Sequence, residues 1–161
     1  MRAPRPVLAV AAIAIAYVAL PVLGLLQRMP WSSMGDLLAR ESITRPLLLS
    51  LLVSGIAALV VVILGTPLAW TLARVEIPGR RIIRALVLLP MVLPPVVGGT
   101  ALLFALGRRG LVGQWLDRWF GLTLPFTTAG AVVAAVFVAL PFYVIAVEGA
   151  LESGSDELEQ M

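Results

Sequence analysis

Four uncharged apolar runs dominate this chain: Val7 to about Leu26, Pro46 to about Ala73, Ala85 to about Leu106 and Leu124 to about Val147. None contains Asp, Glu, Lys, Arg or His. As a helix, each is long enough to cross roughly 30 Å of hydrocarbon. The fold expected is an all-α polytopic membrane bundle with about four transmembrane helices. Composition agrees: 13% of the 161 residues are charged and the mean hydropathy is +1.02, whereas a soluble domain is about a quarter charged.

The third run carries an unusual interruption, Leu93-Pro94-Pro95-Val96-Val97-Gly98-Gly99. Adjacent prolines remove two backbone donors and clash with the preceding turn. In a bilayer the freed carbonyls need partners inside the protein or in a wet cavity. A simple anchor gains nothing from that defect, whereas a helix lining a pathway has a use for it. The spans hold no fixed charge, so a translocated solute would meet neutral donors and backbone N–H groups, which bind weakly enough to release it. Pro94, Pro95, Gly98, Gly99 and Thr100 are the candidate pathway or gate residues. Close helix packing is an equal reading of Gly98 and Gly99, and the two do not exclude each other.

The connections are short and arginine-bearing. Arg2 and Arg5 precede the first run, which is too long for a cleaved signal core and reads as a retained helix with a kink at Pro21. Trp31 suits a membrane interface, and Ser33 is a weak N-cap ahead of a short helix through Leu37. Pro46 suits the start of the second helix. Ser50, Ser54 and Ala58 form a small stripe for close helix approach, and Gly65-Thr66-Pro67 is expected to loosen its end. Pro78-Gly79 marks a turn among Arg74, Arg80, Arg81 and Arg84. Leu111, Trp115 and Trp119, four apart, predict a flat interfacial helix. Pro141 interrupts the fourth run. Six arginines fall on each side, so the positive-inside rule ties; the density of the Arg74–Arg84 loop leans toward a cytoplasmic N-terminus. Glu148, Glu152, Asp156, Glu157 and Glu159 make an acidic end, with a new helix expected from Ser155 or Asp156 and a sequence that stops before that helix is complete.

Several functions are excluded or disfavoured. The chain has no Cys and no His, and all 12 cations are arginines. No phosphate-binding loop with its lysine is possible, so any ATP hydrolysis belongs to another chain. No catalytic residues, cofactor or metal site is expected, since the acidic cluster lacks the spacing of a calcium loop. The positive charge is spread over membrane loops, which does not imply nucleic acid.

The stretch Leu89-Pro90-Met91-Val92-Leu93-Pro94-Pro95-Val96-Val97-Gly98-Gly99, followed by Leu102 to Gly113, resembles the permease subunit of molybdate ABC importers. Leu124-Pro125-Phe126-Thr127-Thr128, Ala139 to Val144 and Glu148-Gly149-Ala150-Leu151 fit the same family. The resemblance implies a multi-pass subunit of the bacterial inner membrane, surrounded by membrane lipid and working as a homodimer. It implies cytoplasmic ABC ATPase subunits and an extracytoplasmic oxyanion-binding protein as partners. It divides the chain into residues 1–45, a first helix with an extracytoplasmic interfacial segment, and residues 46–161, the N-terminal portion of a type I permease domain. Asp156, Glu157 and Glu159 would begin the segment that couples to the ATPase, whose remainder is expected beyond Met161. Sulfate and tungstate permeases share the Leu-Pro-Pro pattern and are the nearest alternative; a membrane scaffold that moves nothing is another.

Reporter fusions at Gly79 and Gly113 are expected to lie on opposite sides of the membrane, with Gly79 cytoplasmic. The reverse pattern would overturn the inward N-terminus.

Overall fold

The computed structural model describes the backbone of residues 4–159 and the side chains of residues 4 and 6–152. Arg2 of the expected N-terminal basic pair lies outside the described residues. Helix is the only regular secondary structure among them. The elements are α1 (Arg5–Arg28), a 3₁₀ turn (Trp31–Ser33), α2 (Met34–Ala39), α3 (Glu41–Arg74), α4 (Arg80–Val92), α5 (Pro95–Leu106), α6 (Gly113–Phe120) and α7 (Thr128–Glu159). α1, α3 and α7 are each long and apolar enough to cross a membrane, and α4 with α5 makes a broken fourth candidate. The protein is an all-α polytopic membrane protein.

The chain divides into two compact units, Met1–Arg45 and Pro46–Met161. In the first, α1 runs through Pro21 without a break in helical backbone. Its C-terminal carbonyls need partners. The Leu26 carbonyl accepts from both Met29 N–H and the indole Nε1 of Trp31, the latter at 2.9 Å. Trp31 thus closes the helix end as well as suiting an interface. Ser33 stands at the N-cap position of α2 but does not cap it. Its hydroxyl donates to the Pro30 carbonyl at 3.3 Å instead.

The second unit is built on α3 and α7. α3 begins at Glu41, five residues before the expected start at Pro46, and runs unbroken through Gly65-Thr66-Pro67. The expected loosening there is absent because α7 packs on this stretch. The buried face of α3 is Ala57, Val61, Gly65, Ala69 and Leu72. The small stripe predicted from Ser50, Ser54 and Ala58 lies outside this buried face: all three are exposed, and Ser54 Oγ turns back to the Ser50 carbonyl at 2.8 Å. At Gly65 an added Cβ would stand 2.6 Å from Cδ1 of Tyr143. The hydroxyls of Thr66 and Tyr143 meet at 2.8 Å beside it.

α7 starts at Thr128, not Leu124. Thr127 Oγ1 accepts the Gly130 N–H at 3.1 Å, which satisfies a first-turn donor, and Leu124 to Thr127 form the turn before it. Pro141 lies inside α7 without interrupting it and is fully buried. The helix expected to begin at Ser155 or Asp156 is the continuation of α7, whose backbone stays helical through Glu159. The side chains of Asp156, Glu157 and Glu159 lie outside the described residues. The core sits where α3, α4 and α7 converge: Ala69, Leu72 and Val144 are buried, with Ile83, Val87, Leu140 and Val147 packed around them.

Gly65→Ala is expected to lower stability by about 1–3 kcal/mol, the usual cost of forcing a methyl into a packed contact. The Tyr143 ring is held by its hydroxyl and cannot simply swing away. Thermal unfolding in detergent checks this, and an unchanged midpoint would show that α3 and α7 part freely.

Candidate functional site

The third apolar run is not one kinked helix. α4 ends at Val92, and Leu93 closes it by donating its N–H to the Leu89 carbonyl at 3.1 Å. A residue before proline is driven out of the helical region; Leu93 has ψ 134° and Pro94 ψ 141°. Two extended residues in succession separate the helices, and the axes of α4 and α5 turn by 117°. Pro95 occupies the first position of α5, where a missing N–H costs nothing. The Gly98 N–H returns to the Pro94 carbonyl at 3.0 Å and closes the first turn of α5.

The candidate residues do not converge on one point. Pro94, Pro95 and Thr100 are exposed. Thr100 Oγ1 donates to the Val96 carbonyl at 2.7 Å, so in this conformation its proton is used within its own helix. Gly98 is buried, and its missing Cβ faces Cε1 of Phe137 on α7 at 3.6 Å. Gly99 lines a cavity of about 270 Å³ between α5 and the start of α7, together with Leu102, Leu106, Leu124 and Gly130. The glycine pair thus serves helix approach at Gly98 and borders open space at Gly99. No residue lining that cavity is charged.

Contacts along α7 show what the broken pair does. Arg84 of α4 meets Glu148, Gly98 faces Phe137, and Leu106 shares the cavity with Leu124 and Gly130. About 27 Å of helix separates Gly130 from Glu148 at 1.5 Å per residue. That is close to the roughly 30 Å hydrocarbon thickness. α4 and α5 therefore meet α7 at successive points along its length, and their 117° turn fits either a broken span or a re-entrant loop.

The end of α5 is closed by the Gly107–Gly113 loop. Leu111 N–H donates to the Phe104 carbonyl at 3.2 Å and Val112 N–H to Ala105 at 2.9 Å, satisfying the orphan acceptors of the last turn. The backbone doubles back so closely that a Cβ on Gly113 would overlap the Gly107 and Leu106 carbonyls, and one on Gly110 would lie 2.5 Å from the Phe104 carbonyl oxygen. The expected flat helix is shorter than its apolar spacing: α6 starts at Gly113, and Leu111 belongs to the loop. Within α6, Trp115 and Trp119 stack obliquely at 5.3 Å and Arg118 lies over Trp115 at 5.4 Å. Arg108 reaches Asp117 at 3.5 Å.

A charged cluster that the separate reading of the arginine loop and the acidic end misses lies at the opposite end of α7. Glu148 is only 6% exposed. A buried carboxylate is costly unless paired and hydrogen-bonded. Arg84 Nη2 donates to Glu148 Oε1, and Arg80 Nη2 lies 3.6 Å from the same oxygen. Glu152 stands 3.8 Å from Arg84 and 3.9 Å from Arg80. Arg74, at the end of α3, donates to the Leu151 carbonyl at 2.9 Å. The signal for this was present: Arg80/Arg84 and Glu148/Glu152 are opposite-sign pairs, each four residues apart on one helix face. Among the described residues no group of His, Cys, Asp and Glu is placed to hold a metal ion.

No family model matches the chain. It is 41% identical over 156 residues to the molybdenum transport system permease protein ModB of Mycobacterium bovis, covering 97% of this chain and 59% of that protein. To ModB of Escherichia coli it is 45% identical over 113 residues, 70% of this chain and 49% of the relative. To the probable sulfate transport system permease protein cysT of Zygnema circumcarinatum it is 34% identical over 146 residues, 88% of this chain and 50% of the relative. The chain thus spans between about half and three-fifths of the length of these three curated relatives.

Two carboxylates offer a direct comparison of burial. Glu148→Gln is expected to cost about 1–3 kcal/mol, below the full figure for a buried pair because Arg84 is 44% exposed. Glu41→Gln should cost under about 0.5 kcal/mol, since the Glu41–Arg45 pair is exposed on both sides. Thermal melts of the two variants in detergent check the ranking; equal losses would mean that the Glu148 cluster adds nothing.

Proposed function

From its kinship with transport-system permeases, we propose that this chain is a transmembrane permease subunit of an ATP-driven importer for molybdate. The observation that carries the reading is 41% identity to a molybdenum permease over 97% of the chain. On this reading the protein sits in the bacterial inner membrane. Two copies form the pathway, separate cytoplasmic ABC ATPase subunits hydrolyse ATP, and an extracytoplasmic binding protein delivers the oxyanion. Residues 1–45 supply a first helix and an interfacial segment, and residues 46–161 belong to the permease domain proper. Asp156, Glu157 and Glu159 open the stretch facing the ATPase.

The chemistry of the third span supports the reading. Its residues offer an anion no fixed cation, so passage relies on neutral groups that bind weakly and release. The first-turn N–H groups of α5 have no partner four residues back in a helix, and the two prolines keep that turn open instead of merging it into α4. Pro94, Pro95, Gly98, Gly99 and Thr100 mark this stretch of pathway. The 34% identity to a probable sulfate permease over 88% of the chain favours sulfate as the second reading.

Uptake of labelled molybdate by cells lacking their own permease tests the assignment, with the full-length protein supplied alongside its ATPase and binding protein. Competition by excess sulfate separates the two oxyanions. Uptake of neither would overturn the transport reading. Replacing both Pro94 and Pro95 by Leu is expected to leave membrane insertion intact, since leucine is favourable there. Uptake should fall about tenfold or more, a size usual for lost coupling between sites. Normal uptake at normal abundance would make the prolines packing features only.

A further inference from the structure

We infer that Arg80, Arg84, Glu148 and Glu152 are positioning residues that clamp α4 to the end of α7, so that conformational change in the transport cycle is taken up at Leu93–Pro94. This rests on the transport function proposed above. The clamp has three layers on one side of the proline break. Glu148 is buried against Arg84 and Arg80. Directly beside it lies the core of Ala69, Leu72 and Val144, with Ile83 and Val87 of α4 packed on it. Arg74 ties the end of α3 to the Leu151 carbonyl of α7.

Beyond the break the packing changes character. α5 carries no charged residue, comes close to α7 at Gly98 and then stands off it across the 270 Å³ cavity. Packed cores resist deformation, whereas the open-sided cavity leaves this part of α5 without a packed α7 neighbour and gives it room to shift. The joint itself is two extended residues, one of them without an N–H to bridge the helices. α7 is continuous from Thr128 to Glu159, so a displacement of its end is carried through the clamp into α4. The first place where that displacement can be absorbed is the Leu93–Pro94 joint.

None of these 161 residues is cysteine, so no native thiol of this stretch competes with the introduced labels. In the assembled transporter with its ATPase and binding protein, spin labels at Ile82→Cys on α4 and Phe142→Cys on α7 should keep the same separation with and without ATP. Labels at Phe104→Cys on α5 and Phe142→Cys should change theirs. All three positions are more than half exposed. A changed Ile82–Phe142 distance, or no change in either pair, would overturn the clamp. In the same assembly, Glu148→Gln should lower oxyanion transported per ATP hydrolysed about tenfold, within the usual range for coupled sites. ATP hydrolysis per folded transporter should persist. The exchanged pair Arg84→Glu with Glu148→Arg should restore the ratio. A merely structural role would lower uptake and hydrolysis together with protein abundance, and that result would also overturn it. A wild-type assembly that takes up no oxyanion with ATP present would overturn the functional reading first, and the clamp with it.

Discussion

The buried carboxylate of Glu148 sets the arrangement of the second unit. A charge at 6% exposure needs a partner of opposite sign, and the partners are Arg84 and Arg80 at the start of α4. Their pairing brings the end of α7 to the beginning of α4. Because Arg74 also reaches Leu151, the ends of α3 and α7 and the start of α4 share one side of the unit. The apolar contacts of Leu72, Val144, Ile83 and Val87 then form immediately next to the charges. Van der Waals packing supplies the cohesion of these apolar contacts between membrane helices, while the ion cluster fixes the register in which it occurs.

That register also sets the path of the broken helix pair. α4 leaves the cluster and stops where proline withdraws the donors that would continue it. α5 resumes in a new direction, with Pro95 at its first turn. Gly98 lets it approach Phe137, and Leu106 ends beside Leu124 and Gly130. The far end is then sealed by backbone alone, as Leu111 and Val112 donate to the last carbonyls of α5. Gly110 and Gly113 are required there for space, since a side chain would strike those carbonyls or their neighbours. A membrane segment cannot leave such acceptors open, and this loop supplies their partners without any side chain.

Arginine in this protein serves tertiary contacts as well as topology. The end of α3 and the first turns of α4 carry four arginines, and three of them, Arg74, Arg80 and Arg84, engage α7. On α6, Arg118 covers Trp115 and Arg108 meets Asp117. Counting arginines by side treats each as a free charge facing a membrane surface, whereas six of the ten with described side chains, Arg45, Arg74, Arg80, Arg84, Arg108 and Arg118, make intramolecular contacts that would hold in either orientation.

The sequence by itself determined the class of fold, the helical character of all four apolar runs and the kinship with permeases. Those follow from run length, from the absence of charge within the runs and from local proline chemistry, all of which are properties of neighbouring residues. It also placed the interruption at Leu93–Pro94 correctly, because two prolines act on their own backbone whatever surrounds them. Tertiary structure decided the rest. It buried Ala57, Val61, Gly65 and Ala69 within the chain and left Ser50, Ser54 and Ala58 exposed, since which face is buried depends on where α7 lies. It kept α3 helical through Gly65-Thr66-Pro67 and α7 through Pro141, because packing against a partner helix outweighs a local propensity of about 1–3 kcal/mol. It turned an acidic end and an arginine loop, 64 residues apart at Arg84 and Glu148, into one buried cluster. Opposite charges attract only at short range in space, and distance in space is what a linear reading does not contain.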